Sequence, residues 1–316
     1  MRRILTTSWL AIALLTACAA QKPEPPASSA ASLPPLTRTA RPTQTRITPK
    51  TARPTITIAP SATTVPIIEM PAIISPAAMK ISFQTSDGIT LRGYFYPAAH
   101  KNAPVVVMMH QYQGNQSLWN QENSGFIAWL QNWPPSDGSL ATPSAAGALP
   151  GLTPELTFNI MTFDFRGHGE SDGEKPQDFS VYLEDAKAAY QAARSLPQVD
   201  ANRIVGIGTS IGADAVINAC EQAYCRGAFA ISPGSWLGVE YSQSTQTLLE
   251  AGKPVRCMYA VNDGPSPATC WSRAPNDLYK IFAYPGIKHG MTFFVPRKME
   301  ADFGRNIIEF LVEAIK

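Results

Sequence analysis

Between Val105 and Tyr284 short apolar runs recur with longer amphipathic stretches between them, and few folds accept that rhythm. The runs are Val105–Met109, Phe158–Phe163, Ile204–Gly208, Ala228–Ile231, Val255–Val261 and Tyr279–Tyr284. Most are apolar throughout, as strands are when a parallel sheet is covered on both faces. Helical patterns separate or follow them at Ser117–Leu130, Asp178–Leu196, Ile211–Gln222, Ser242–Ala251 and Lys298–Ile315. Ahead of this series, Lys80–Thr85 and Ile89–Tyr96 read as a hairpin turning at Ser86-Asp87-Gly88, where the glycine can take a positive φ. A hairpin followed by alternating strand and helix predicts an α/β domain: a mostly parallel, eight-stranded sheet with helices on both faces.

That pattern starts only at Met79. Twelve of the chain's 28 prolines precede it, interleaved with Thr, Ser and Ala, so neither helix nor sheet can propagate there. Residues 18–78 therefore read as an extended, disordered Pro/Thr-rich linker, and residues 79–316 as the folded domain. Charge divides at the same place. The first 78 residues hold eight Lys/Arg against Glu24 and Glu69, leaving 18 basic and 22 acidic residues for the domain. A mildly acidic domain is not what nucleic-acid binding requires.

Residues 1–17 read as an export signal, with Arg2 and Arg3 ahead of a short apolar run, Trp9–Leu15. It ends in Leu15-Thr16-Ala17-Cys18, which resembles the lipobox of bacterial lipoproteins. The resemblance implies lipidation of Cys18, loss of the signal peptide, and an extracytoplasmic domain tethered to a membrane through its acyl chains. Four further cysteines, Cys220, Cys225, Cys257 and Cys270, suit an oxidising compartment. Three connectivities are open to them, as are four free thiols; sequence neighbours pair most simply, Cys220 with Cys225 and Cys257 with Cys270. No CxxC or His/Cys cluster points to a metal.

The chemistry is concentrated in Gly208-Thr209-Ser210-Ile211-Gly212, a G-x-S-x-G sequence between a predicted strand and a predicted helix. A turn that tight excludes side chains two residues either side of the serine, and it lifts the hydroxyl clear of the backbone at a helix N-terminus. A serine hydroxyl needs a base to take its proton. In sites of this kind the acid and then the histidine follow the serine in the chain. Of the four histidines three precede Ser210, which leaves His289, in the loop Gly286–Gly290 after the last strand. The acid belongs at the carboxyl end of a strand, where Asp263 sits in Asn262-Asp263-Gly264-Pro265; Glu240 is the alternative, and Asp277 lies on the wrong edge. The oxyanion requires two fixed N–H donors. Ile211 supplies one, and the turn His110–Gly114 the other, from Tyr112 or Gln111.

The segments Val105–Gly114, Phe163–Ser171, Gly208–Gly212, the Asp263 turn and His289-Gly290 together resemble the α/β-hydrolase superfamily from Lys80 to Lys316. The resemblance is strongest to its dienelactone hydrolase-like, small-esterase branch. It implies that Arg166 and His168, in the R-G-x-G-x-S segment after the fourth strand, shape the site entrance structurally. Two departures stand out. Gln111 replaces the glycine usual after the oxyanion-loop histidine, and the elbow carries Ser210 where dienelactone hydrolases proper carry cysteine.

Only Ser232–Lys253 is available for an insertion after the sixth strand, so no separate cap domain and an open cleft are expected, with Trp236, Tyr241 and Trp271 as candidate lining. The Pro-, Gly- and Ser-rich stretch Trp133–Thr157 returns from a helix to a strand and so belongs to the opposite edge. The expected function is cleavage of small-molecule carboxylic esters through an acyl-enzyme on Ser210, with no cofactor. A peptidase or thioesterase would use the same triad, and a non-catalytic surface binding module would share the fold.

Overall fold

The computed structural model describes residues 77–134, 147–221 and 224–316. The expected signal sequence, Cys18 and almost all of the expected linker lie outside the described residues. Eight strands form one sheet: β1 (Met79–Gln84), β2 (Thr90–Tyr96), β3 (Ala103–Met109), β4 (Asn159–Phe163), β5 (Val199–Thr209), β6 (Cys225–Ile231), β7 (Val255–Ala260) and β8 (Tyr279–Tyr284). Their spatial order is β1-β2-β4-β3-β5-β6-β7-β8. Only β2 runs against the rest. The sheet is the mostly parallel one that the apolar runs predict.

Among the described residues, six α-helices cover it: α1 (Phe126–Gln131), α2 (Tyr182–Ala193), α3 (Ile211–Asn218), α4 (Tyr241–Glu250), α5 (Ser266–Cys270) and α6 (Phe303–Ala314). Alternation along the strands divides the core in two. Val105, Val107 and Met109 of β3 pack with α2, α3 and α4, whereas Val106 and Met108 face α1 and α6. Burial on both faces explains why β3 reads as an unbroken apolar run.

The helical stretch expected at Ser117–Leu130 is broken. A 3-10 turn, Gln116–Asn123, capped by the Asn115 side chain, gives way at Glu122 (φ 50°), Asn123 (φ 51°) and Gly125 (φ 70°) before α1 begins. Trp119 is the one residue of that 3-10 turn to be buried, so packing on one side chain, not amphipathic periodicity, holds the segment. Helix α3 ends at Asn218, four residues short of expectation, and Cys220 after it is bonded to Cys225 at the start of β6, with Cα atoms 5.3 Å apart. A second disulfide, Cys257–Cys270, joins β7 to α5 with Cα atoms 5.7 Å apart. Helix α5 is too short for periodicity to reveal. Between Ser232 and Lys253 there is a loop and α4, with no further domain. Residues 135–146 lie outside the described residues. The rest of that connection packs on the α1–α6 face, where the Trp129 indole N–H donates to Pro150 O at 2.7 Å and Gly304 N–H to Ala148 O at 2.9 Å.

Candidate active site

The β5–α3 turn is strained in the way its sequence requires. Ser210 takes φ 54° and ψ −120°, a conformation that costs a non-glycine residue of order 1–3 kcal/mol and persists only when its surroundings enforce it. Two close approaches enforce it. A Cβ on Gly208 would stand 1.9 Å from Gly212 O, and one on Gly212 would stand 2.1 Å from Met109 O. The turn is pinned further by Ser210 N–H donating to Ile231 O at 2.9 Å. The hydroxyl thus stands at the N-terminus of α3, at the carboxyl edge of the sheet.

His289 follows β8, and Asp263 follows β7. The imidazole Nδ1 lies 2.7 Å from Asp263 Oδ1. A carboxylate only accepts, so Nδ1 carries the proton and Nε2 is left to receive one. Asp263 is 6% exposed, while the His289 side chain is 40% exposed: the carboxylate is shielded and the imidazole is reachable. The other Asp263 oxygen, Oδ2, is buried with no partner among the described residues. Glu240 is exposed at the start of α4, and no hydrogen bond joins it to His289. The His289 loop meets the nucleophile turn directly, since a Cβ on Gly290 would fall 3.5 Å from Thr209 Cβ.

The oxyanion turn, His110–Gly114, is braced by two histidines. Phe165 N–H donates to His110 Nε2 at 3.1 Å, so Nδ1–H of His110 donates to Gln111 O at 2.7 Å. Burial pushes His110 down to about 3, which keeps the ring neutral. Likewise Gln113 N–H donates to His168 Nε2 at 3.3 Å, and His168 Nδ1–H donates to Arg166 O at 3.0 Å. His168 is lowered as well, chiefly by burial. With Gln113 engaged and Gly114 N–H donating to Gln111 O, the N–H groups of Gln111 and Tyr112 are each left without a partner among the described residues. Both therefore remain candidate donors beside Ile211. His168 thus also braces the turn that carries these candidate donors.

Arg166 is a buried brace. Its guanidinium donates to Asp185 Oδ1 at 2.7 Å and to Asp87 Oδ2 at 2.6 Å. Burial works against its charge, but the bonds to Asp87 and Asp185 outweigh it and raise its pKa.

Three contributors were not visible in the sequence. Ser232, after β6, accepts from Gly290 N–H at 2.9 Å. Gln121 Nε2 donates to Met291 O at 2.5 Å. Asp214, one turn into α3, accepts from Gly234 N–H at 3.2 Å and Trp236 N–H at 2.6 Å, and holds the β6–α4 loop. Burial pushes its carboxyl up to about 7 against those bonds. A lone acid in the apolar helix Ile211–Asn218 was the one available signal for it. Of the expected lining aromatics, Trp236 and Trp271 are exposed, whereas Tyr241, the first residue of α4, is buried in the core.

Solved structures of the same architecture include an esterase of Pyrococcus furiosus (TM-score 0.55, 16% identity, 78% of this chain and 98% of that one). Another is the α/β hydrolase GrgF from a Penicillium species (TM-score 0.53, 15% identity, 76% and 99%). The chain has the α/β-hydrolase fold. Residues 155–294 match the family model described as serine aminopeptidase, S33. Curated relatives match more narrowly. The uncharacterized protein YfhR of Salmonella typhimurium is 31% identical over 147 residues, 45% of this chain and 40% of that protein. The quorum-quenching protein AidA of Acinetobacter baumannii is 46% identical over 147 residues, 46% of this chain and 40% of that protein. The chain thus spans about two fifths of the length of these curated relatives.

Proposed function

We propose that this protein is a serine hydrolase that cleaves small carboxylic esters through an acyl-enzyme. The observation that carries the reading is the His289–Asp263 bond on a loop that meets the turn holding Ser210 at positive φ. Ser210 Oγ attacks the ester carbonyl as its proton passes to His289 Nε2. Asp263 orients the ring and stabilises the imidazolium. The tetrahedral oxygen takes N–H bonds from Ile211 and from Tyr112 or Gln111, reinforced by the positive end of α3. The imidazolium then protonates the leaving alcohol. Water, activated by the same histidine, frees the acid and restores Ser210. The reaction requires no cofactor.

The family-model match and the esterase among the structural neighbours support hydrolysis. The surface supports an apolar ester. Among the described residues, the large exposed hydrophobic side chains are Trp236, Val261, Trp271 and Ile287. Trp236, Val261 and Ile287 follow β6, β7 and β8 on the edge that carries the site, whereas Trp271 stands after α5. The serine aminopeptidase description favours peptide cleavage as a second reading. We also propose that the protein is exported and lipid-anchored at Cys18, a reading that rests on Leu15–Cys18 and is tested by incorporation of labelled palmitate into wild type and Cys18→Ser.

The test of activity compares p-nitrophenyl acetate and butyrate with aminoacyl p-nitroanilides, for wild type and Ser210→Ala. Ester turnover lost in Ser210→Ala is expected. Turnover of the anilides alone transfers the reading to a peptidase. A fluorophosphonate probe that leaves Ser210 unlabelled moves it to a binding module.

A further inference from the structure

Gln111 stands where the resemblance calls for glycine, and the structure gives its side chain a task. Its Oε1 accepts from Met291 N–H at 2.8 Å, across 180 residues of sequence. A Cβ on Gly290 would lie 2.3 Å from the same oxygen, so the amide is pressed against the backbone that follows His289. Gly290 takes φ 50° to present that backbone. The neighbouring groups are gripped as well, Gly290 N–H by Ser232 Oγ and Met291 O by Gln121 Nε2. The main chain of Gln111, meanwhile, belongs to the oxyanion turn: its carbonyl receives His110 Nδ1–H and Gly114 N–H.

We propose that Gln111 is a positioning residue that couples the oxyanion turn to the His289 loop, so that one side chain sets the distance between the oxyanion donors and the general base. The inference rests on the serine hydrolase reading. A glycine there leaves the two loops to find their separation independently. The glutamine joins them with a bond that reaches the residue two beyond the base. Misplacing catalytic groups by about 1 Å costs on the order of a hundredfold in rate, so a coupling of this kind acts on kcat and not on substrate binding.

The test uses the full chain with Gln111→Met, which keeps the length and removes the acceptor, and Gln111→Glu, which restores an acceptor oxygen. Both leave every main-chain donor in place. Expected for Gln111→Met is a fall in kcat of about tenfold, as for one misdirected hydrogen bond, with KM within about twofold of wild type. Gln111→Glu recovers most of that loss, and the melting temperatures of the two variants agree. Fluorophosphonate labelling of Ser210 slows in parallel in Gln111→Met, a readout independent of the choice of ester. Wild-type kcat and labelling rate in Gln111→Met overturn the inference, as does equal impairment of the two variants. Activity that survives in Ser210→Ala fails the hydrolase reading instead, and the two failures are told apart by that control.

Discussion

Two loops at the carboxyl edge of the sheet are held in opposite ways. The segment after β4, Arg166–Lys175, is secured by charge. Arg166 bridges Asp87 and the fully buried Asp185, while Asp164 accepts from Gln116 N–H at 2.7 Å and Glu170 N–H at 2.8 Å. The segment after β8, which carries His289, is held mainly by neutral bonds from Ser232, Gln111 and Gln121; Lys288 pairs with Glu300 at its start. Desolvated ion pairs are costly to break, and they suit a part that must not move. Neutral bonds fix the backbone of this loop, while the charged contact to the imidazole itself comes from Asp263. The first loop is framework, and in the proposed reaction the second carries the base.

Breaking the second loop's chemistry has the largest expected effect. His289→Ala and Asp263→Asn each lower kcat on the preferred ester by about 10⁴-fold, with an unchanged circular dichroism spectrum. A Tm fall of many degrees alongside would erase the contrast between the loops.

Arg166→Met should do the reverse. It leaves Asp185 buried and unpaired, a cost of about 3–5 kcal/mol in urea unfolding, while kcat per folded molecule stays within about threefold. Unaltered stability would mean that the ion pair is not what holds the framework.

The Cys257–Cys270 bridge closes the stretch that contains Asp263 and so touches both kinds of behaviour. Replacing both cysteines by alanine lowers unfolding free energy by about 3 kcal/mol on loop entropy, measured by denaturant titration. A drop in kcat in the still-folded variant would show that the bridge also orders the acid's turn.

The smallest effect is a pH dependence of the framework. The bonds from Arg166 and then Thr85 hold the Asp87 carboxyl down at about 2, against an ordinary 3.8. A depressed carboxyl adds stability above its unfolded value and loses it as pH falls through the folded one. Its side chain is 49% exposed, so screening limits the contribution to about 1 kcal/mol. The stability gap between wild type and Asp87→Asn is therefore full at pH 5 and closes towards pH 2. A gap that persists at pH 2 rules out the carboxylate as its source.

What was legible in the sequence and what was not follow a physical line. The strands of the parallel sheet were legible because burial on both faces makes them apolar throughout, as in Val105–Met109. The segment Gln116–Asn123 was misread as regular helix because it is held by tertiary packing of Trp119. Ser210 and its glycines were legible because the turn's steric demand is local. Ser232 and Gln121 were invisible, since their partners lie 58 and 170 residues away and leave no periodic trace.

By itself the sequence determined the set of residues that can serve. One serine stands in a glycine-bounded elbow, and one histidine of four follows it, because chain order and steric need are written locally. The tertiary structure decided among them. It brought Asp263 and not Glu240 to the imidazole, tied the His110–Gly114 turn to His168 through Gln113 N–H, and set Gln111 against the His289 loop. Strand order is the reason. Placing β3, β5, β6, β7 and β8 side by side turns residues far apart in the chain into neighbours at one edge, and hydrogen bonds over about 3 Å then select among groups that look equivalent in sequence.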